Sequence, residues 1–195
     1  MKFTKIPADT FQKLQLNAGI LTTDFTPATG TVGESGQIGA TTGGVNFSAI
    51  PTYSDRGEDI DNCPKNMKEL KNLDSWEVKA TGTFVTADTA VAKRLIGAAD
   101  IDKSDTTKVT PRNNLADTDF GDIWIVGDYS DKNGDTNGGF IAIKLLNALS
   151  TGGFQMKTAD RVKGQFAFEF LGHYSMNAQD TVPFEVYVKA GTAEA

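Results

Sequence analysis

The chain has few of the residues on which catalysis and covalent cross-linking most often depend. Its 195 residues include one cysteine, Cys63, and one histidine, His173. A lone cysteine cannot form an internal disulfide, so stability must come from packing or assembly. A histidine-based triad would have to use His173, which lies in an alternating, strand-like run, and the glycines at 33–36 lack the spacing of a nucleophile elbow. The sequence therefore predicts no enzyme, no catalytic residue and no cofactor.

Basic clusters and long apolar runs are also missing. The net charge is −6, and lysine and arginine are not gathered into the patches that bind nucleic-acid phosphates. No apolar run reaches the ~18 residues of a membrane span, and the segment that begins at Met1 lacks the apolar centre of a signal peptide. We therefore expect a cytosolic product that interacts with neither membranes nor specific DNA.

What remains is the composition of a β-rich domain. With 39% hydrophobic residues and 20 glycines, the chain suits a single domain over residues 1–195. A domain of this size could bury roughly 70% of the surface that its unfolded form exposes. Alternation of apolar and polar residues, typical of half-buried strands, predicts a mainly β fold. The alternating runs lie at residues 14–20, 45–49, 76–84, 166–174 and 184–188.

Two further runs, residues 123–126 and 140–149, are apolar on both faces. Strands of this kind are covered twice, by the core on one side and by a helix or a neighbouring subunit on the other. The second run contains LLNAL, which would also suit a helical turn.

One helix is predicted, at residues 89–99, with Asp88 as its N-cap. About nine strand-like runs with one helix predict a β-sandwich or barrel with that helix on its flank. The apolar stripe at helical spacing consists of Val91, Leu95, Ile96 and Ala99.

Long irregular segments separate these elements. They are an N-terminal arm at 1–13, a loop rich in Gly and Thr at 27–44, and a charged loop at 54–72. Loops of this length inside a compact domain are usually functional or disordered. The arm could form a short helix after Pro7, or become ordered only on assembly.

One loop offers a weak candidate metal site. Counted as an EF-hand from Asp131, it has Thr136 at the sixth position and Ala142 at the twelfth, where Gly and Glu are required. Its Asn-Gly dipeptides are instead typical of hairpin turns. We therefore predict a hairpin tip and no metal. The oxygen-bearing side chains at alternate positions, which a hard cation such as Ca²⁺ would use, are Asp131, Asn133, Asp135 and Asn137.

Segments along most of the chain, from about Leu14 onward, share one family pattern. They read GATTGGVNFSAIPTYSDRGEDIDNCPKNMKELK, ATGTFVTADTAVAKRLIGAADID, DFGDIWIVGDYSDKNGDTNGGFIAIKLLNALSTGGF, KGQFAFEFLGHYS and VPFEVYVKAGTAEA. Together they resemble the major tail tube proteins of long-tailed bacteriophages and of related prophages of Gram-positive bacteria. The resemblance implies a β-sandwich with one flanking helix, a fold shared with the tube protein of type VI secretion.

The resemblance also implies a function. In this family, subunits form hexameric rings that stack around a tape measure protein into a hollow tail tube, through which DNA later passes. Such a protein assembles in the host bacterial cytoplasm, belongs to the virion tail, and meets tail terminator and baseplate proteins. The net charge of −6 suits such a conduit, because a lumen of like sign repels phosphates instead of binding them.

Two candidate assembly surfaces follow from the resemblance. The loop at 54–72 resembles in position the extended loop that reaches the neighbouring ring, where its charges would pair across the junction. The strand at 140–149 would join the sheets of adjacent subunits, because such pairing removes exposed edges. The ring-stacking candidates are Arg56, Glu58, Asp59, Asp61, Lys65 and Lys68, and the intersubunit candidates are Phe140, Ile141, Ile143 and Leu145.

A ligand-binding β-sandwich is the alternative from a different class. Trp76, Trp124 and Tyr129 could form a carbohydrate platform, and the acidic loop could bind Ca²⁺. Tryptophans on alternating strands are, however, more often part of a core. A further alternative keeps the tube but places it in a phage-tail-like particle.

Overall fold

The computed structural model describes residues 6–7, 9–15, 17–129 and 138–191. Two 3₁₀ helices span Thr10–Lys13 and Asp117–Asp119, and one α-helix, α1, spans Thr89–Ile96. The strands are β1 (Ile20–Thr22), β2 (Phe25–Thr26), β3 (Thr31–Val32), β4 (Thr41–Asp55), β5 (Lys71–Phe84), β6 (Ala99–Ile101), β7 (Val109–Pro111), β8 (Gly121–Tyr129), β9 (Gly139–Ser150), β10 (Gln155–Ala159), β11 (Val162–Leu171) and β12 (Phe184–Lys189).

Eight of these strands form an antiparallel β-sandwich with α1 on its flank, which confirms the predicted fold class. The hydrogen-bonded order is β1-β8-β9-β11-β5-β4, with β10 beside β11 and β12 beside β9. One layer contains β1, β8, β9 and β12, and the other contains β10, β11, β5 and β4. The layers are linked where the end of β9 pairs with β11, at Ser150 and Phe170. Just before this link Asn147 takes a φ of 47°, so LLNAL is a kinked strand and not a helical turn.

The main core lies between the two layers. Val78 and Phe84 of β5 are fully buried on the face that the alternation of residues 76–84 predicts. They meet Ile123 of β8 and Leu145 of β9 from the opposite layer, together with Leu95 of α1. This core holds β5 from Trp76 to Phe84, and the rest of the strand continues towards one of the surfaces described below.

Helix α1 begins as predicted and ends earlier. The N–H of Val91 donates to Asp88 Oδ1 at 2.7 Å, which confirms the N-cap. The helix ends at Ile96 and not at residue 99, because Gly97 takes a φ of 82°. Ala99 therefore belongs to β6, although it is buried as expected for a residue of the apolar stripe.

The outer face of β8 and β9 carries a second apolar cluster. Trp124 and Ala142 are buried there beneath Phe25, whose ring centroid lies 5.3 Å from that of Trp124. The prediction of two buried faces is therefore confirmed. The cover is neither a helix nor a neighbouring subunit, but the β2–β3 hairpin of the same chain, whose second strand lies within the segment 27–44 predicted as irregular.

Two other predictions need correction. The charged loop is shorter than 54–72, because β4 continues to Asp55 and β5 begins at Lys71. The predicted strand at 14–20 is replaced by β1, which begins only at Ile20. Asn17 explains the difference, since its Oδ1 accepts the backbone N–H groups of Gly19 and Asp128 in place of strand pairing.

Candidate assembly surface

The β4–β5 hairpin extends beyond the sandwich as a two-stranded arm. β11 pairs with β5 only from Lys79 to Phe84, so among the described residues β4 is the sole strand partner of the stretch from Lys71 to Glu77. This stretch makes a further hydrogen bond, in which the N–H of Trp76 donates to the hydroxyl oxygen of Tyr174 at 3.0 Å. Because a two-stranded ribbon is only marginally stable in water, this arm is a natural place for a partner to pack.

Apolar side chains are exposed along the arm and its loop. Tyr53 and Leu73 lie directly opposite each other in the hairpin, with exposed fractions of 55% and 46%. Ile50 on β4 and Ile60 and Met67 in the loop are exposed as well. Contiguous exposed apolar patches are typical of interaction sites, whereas single exposed apolar side chains are common on protein surfaces. We call the opposed pair the apolar arm pair.

The loop at 56–70 is folded around one carboxylate. Asp55 Oδ1 accepts the N–H of Gly57 at 3.0 Å, and Asp55 Oδ2 accepts the N–H of Asn66 at 2.8 Å. These hydrogen bonds lower the pKa of Asp55, since both favour its charged form. Gly57 is buried, and a Cβ there would lie 2.7 Å from Leu70 Cδ1. The loop therefore presents a defined surface.

All the ring-stacking candidates lie on this loop with exposed side chains. Arg56 donates to Asn72 Oδ1 at 3.1 Å, and Lys68 lies 3.5 Å from Glu69. The three acids form no ion pair within the described part of the chain. The candidates that the structure brings together here are Arg56, Glu58, Asp59, Asp61, Lys65 and Lys68.

The intersubunit strand candidates lie on a strand without a free edge. From Phe140 to Leu145, β9 pairs with β8 on one side and with β12 on the other. Ile141 and Ile143 are half-buried within this pairing. These residues therefore cannot join two sheets through their backbone, and an edge-to-edge junction would have to use β4, β10 or β12 instead.

The residues considered for catalysis have structural neighbours. His173 Nδ1 lies 3.1 Å from the carbonyl oxygen of Asn147, and its ring packs edge-on against Phe120 with centroids 5.4 Å apart. Cys63 Sγ lies 3.7 Å from Met67 Sδ. These contacts are those of side chains that stabilise a kink and a loop.

Metal and sugar binding would need grouped ligand side chains and an open aromatic face respectively. Within the described ranges, no three or more His, Cys, Asp or Glu side chains are grouped so that they could hold a metal ion. Trp124 is 6% exposed and so offers no open face to a sugar, while the half-buried Trp76 packs against Phe184 with ring centroids 5.4 Å apart. The weak metal candidates fall outside the described residues: Asp131, Asn133, Asp135 and Asn137.

A cavity of about 490 Å³ beside the end of α1 was not predicted from the sequence. Lys93 and Arg94 line it, in the last turn of the helix. Cations in this position are normally explained by the helix dipole, so the sequence alone gave no reason to assign them a ligand. We call this site the basic cavity.

No protein-family model matches the chain, and a search of the curated proteins found no match either. In the ranges that the structure describes, α1 and the two 3₁₀ helices are too short to cross a bilayer.

Proposed function

We propose that this chain is a non-enzymatic structural subunit of a bacteriophage tail tube, which assembles into stacked hexameric rings. The observation that carries the proposal is the β4–β5 arm, which projects from the sandwich with the apolar arm pair in water. The sandwich with one flanking helix is the fold that the resemblance to tail tube proteins implies. A phage-tail-like particle would use the same assembly.

Burial of the arm by a neighbouring subunit provides a driving force for assembly. Because Leu73 is 46% exposed, burying the remainder of its side chain stabilises an association by roughly half of the about 1.5–3 kcal/mol that full burial contributes. A ring repeats each such contact once per subunit, so small contributions add up around a closed assembly. The free edges of β4, β10 and β12 offer further backbone groups for pairing between copies.

Partners and surroundings follow from the same proposal. The tape measure protein would occupy the tube during assembly, and tail terminator and baseplate proteins would bind its ends. Assembly would take place in the host bacterial cytoplasm, before the virion tail is complete. Because the net charge is −6, DNA would pass the lumen without specific binding.

The test is electron microscopy of the concentrated, purified protein in negative stain, in which rings or tubes are expected. Tyr53→Ser combined with Leu73→Ser should abolish them while the circular dichroism of the subunit stays unchanged. Leu115→Ser combined with Met176→Ser removes two exposed apolar side chains elsewhere and serves as the matched control.

A second variant tests the loop. Deleting residues 56–68 should shorten the tubes or leave unstacked rings, because the ring-stacking candidates are removed. Uniform monomers of the wild-type protein at every concentration would contradict the proposed function.

A further inference from the structure

The basic cavity contains two cations that have no counter-ion within the described part of the chain. Lys93 and Arg94 line it, and neither forms an ion pair or a side-chain hydrogen bond with a described residue. Burial lowers the pKa of Arg94, and no neighbouring charge contributes to the shift. A guanidinium that has lost water without gaining a partner favours the binding of an anion.

The two carboxylates in the lining of the cavity are already paired with cations of the same chain. Asp119 accepts a hydrogen bond from Arg112 Nη2 at 2.6 Å. Asp122 lies 2.8 Å from Lys144 Nζ. Each also accepts a backbone N–H through its other oxygen, at 2.8 Å and 3.1 Å respectively. The positive charges that remain available to a ligand are therefore those of Lys93 and Arg94.

The loop of the arm carries the complementary charge. Its segment at residues 58–61 reads Glu-Asp-Ile-Asp, with all four side chains exposed and the carboxylates unpaired among described residues. This segment is too far away to fill the cavity of its own chain. Phe170, in the cavity lining, pairs with Ala80, which lies nine residues along β5 from Lys71. At about 3.3 Å per residue, the strand separates the two sites by about 30 Å.

We propose that the basic cavity of one copy receives the acidic segment at residues 58–61 of a second copy. The inference rests on the proposed function and names the two surfaces that join its subunits. The contact is head-to-tail, because donor and receptor are different parts of the chain, and such contacts generate rings or open filaments according to the rotation between copies. Opposite charge at both surfaces selects the partner and the register. The contributing residues are Glu58, Asp59 and Asp61 on the arm, and Lys93 and Arg94 in the cavity.

Charge reversal on both surfaces gives the test. One variant carries Glu58→Lys and Asp59→Lys, and the other carries Lys93→Glu and Arg94→Glu. In sedimentation velocity at low salt, each variant alone should associate about tenfold or more weakly than the wild-type protein, since like charges then meet at the junction. An equal mixture should recover association, because the lysines of the first variant meet the reversed cavity of the second, and the acids of the second meet the intact cavity of the first.

Matched controls change net charge by the same amount at exposed positions away from both surfaces. They are Arg161→Glu with Lys163→Glu, and Asp160→Lys with Asp180→Lys, all at exposed positions outside the free edge strands. Both should associate as the wild-type protein does. If the reversed cavity fails to fold, Lys93→Gln with Arg94→Gln replaces it, and this neutral variant should still weaken association.

The outcomes separate the inference from the function on which it rests. If the reversed variants form rings or tubes as readily as the wild-type protein, the inference fails and the tail tube proposal stands. If mixing restores association but no ring or tube is ever seen, the inference stands and the tail tube proposal fails. Folded variants that remain apart when mixed also overturn the inference.

Discussion

Two carboxylates hold backbone N–H groups at the places where the fold changes direction. Asp88 binds the N–H of Val91, three residues on, at the start of α1. Asp55 binds Asn66, eleven residues on, at the base of the arm loop. The first was predictable, because capping acts within one helical turn. The hydrogen bond between Asp55 and Asn66 was not predictable, since the pairing of residues eleven positions apart depends on how the whole loop folds.

Replacing Asp88 tests the cap. Asp88→Ala should lower the free energy of unfolding by about 1 kcal/mol, because one N–H of the first turn loses its acceptor. Denaturant unfolding followed by circular dichroism measures the difference. Asp88→Asn is the control, since asparagine caps helices about as well, and an equal loss in both variants would contradict a capping role.

The loop should respond to pH through Asp55. Its pKa is lowered in the folded state, so its contribution is complete above the ordinary value of 3.8 and is lost as the pH falls through the lower folded value. In NMR spectra, the amide signals of Gly57 and Asn66 should therefore stay constant from neutral pH to about pH 4 and shift below it. In Asp55→Asn this transition should vanish. Constant amide signals in the wild-type protein down to about pH 2 would count against the assignment.

At the scale of elements, the β2–β3 hairpin covers the outer face of the sandwich. It is short, with two residues in each strand, yet it buries Trp124 through the ring of Phe25. Phe25 also packs edge-on against Phe140, with centroids 5.1 Å apart. Phe25 is therefore the buried centre of this cover, to which Val32 and Tyr187 also contribute.

Phe25→Ala should consequently be strongly destabilising. The expected loss is about 3–5 kcal/mol, the range for removing a buried phenylalanine ring. Phe154→Ala is the control, because that ring is 45% exposed and its removal loses less buried apolar area than removal of Phe25, which is 6% exposed. Thermal unfolding and tryptophan fluorescence both report the change, since Trp124 would enter water. Similar losses in the two variants would show that the hairpin contributes little.

At the scale of elements, a helix or strand could be predicted where its sequence signal lies within a few neighbouring residues. The faces of β5 were predicted from alternation between Trp76 and Phe84, because a strand has a period of two wherever it lies. The end of α1 was predicted three residues late, because the apolar stripe continues through Ala99 into β6. The helix ends early because Gly97 takes a positive φ. A glycine at this position is a common signal for the end of a helix, and it was visible in the sequence.

At the scale of the whole molecule, charge is separated along β5. The acidic segment at residues 58–61 lies on the arm, and Lys93 and Arg94 lie beside the sandwich. In the proposed assembly, such a subunit carries both halves of one junction. Head-to-tail association then requires no second protein, which suits a tube built from many copies of one chain.

Salt should distinguish this junction from purely apolar contact. The Debye length falls from about 10 Å at 0.1 M salt to about 3 Å at 1 M, so association of the wild-type protein should weaken across this range. Light scattering at fixed protein concentration measures the change. The free energy of unfolding of the monomer serves as the control and should change little. Association that strengthens with salt would show that apolar contacts such as the arm pair dominate.

The sequence by itself determined the mainly β class, the faces of β5, the start of α1 and the double burial of β8 and β9. Each of these depends on residues within a few positions of one another, so hydrophobic period and capping suffice to predict it. Only the tertiary structure decided that the β2–β3 hairpin covers the outer face, that β12 occupies the edge of β9, and that the basic cavity and the acidic segment lie far apart. These depend on which distant segments pair, and local patterns carry no information about that choice.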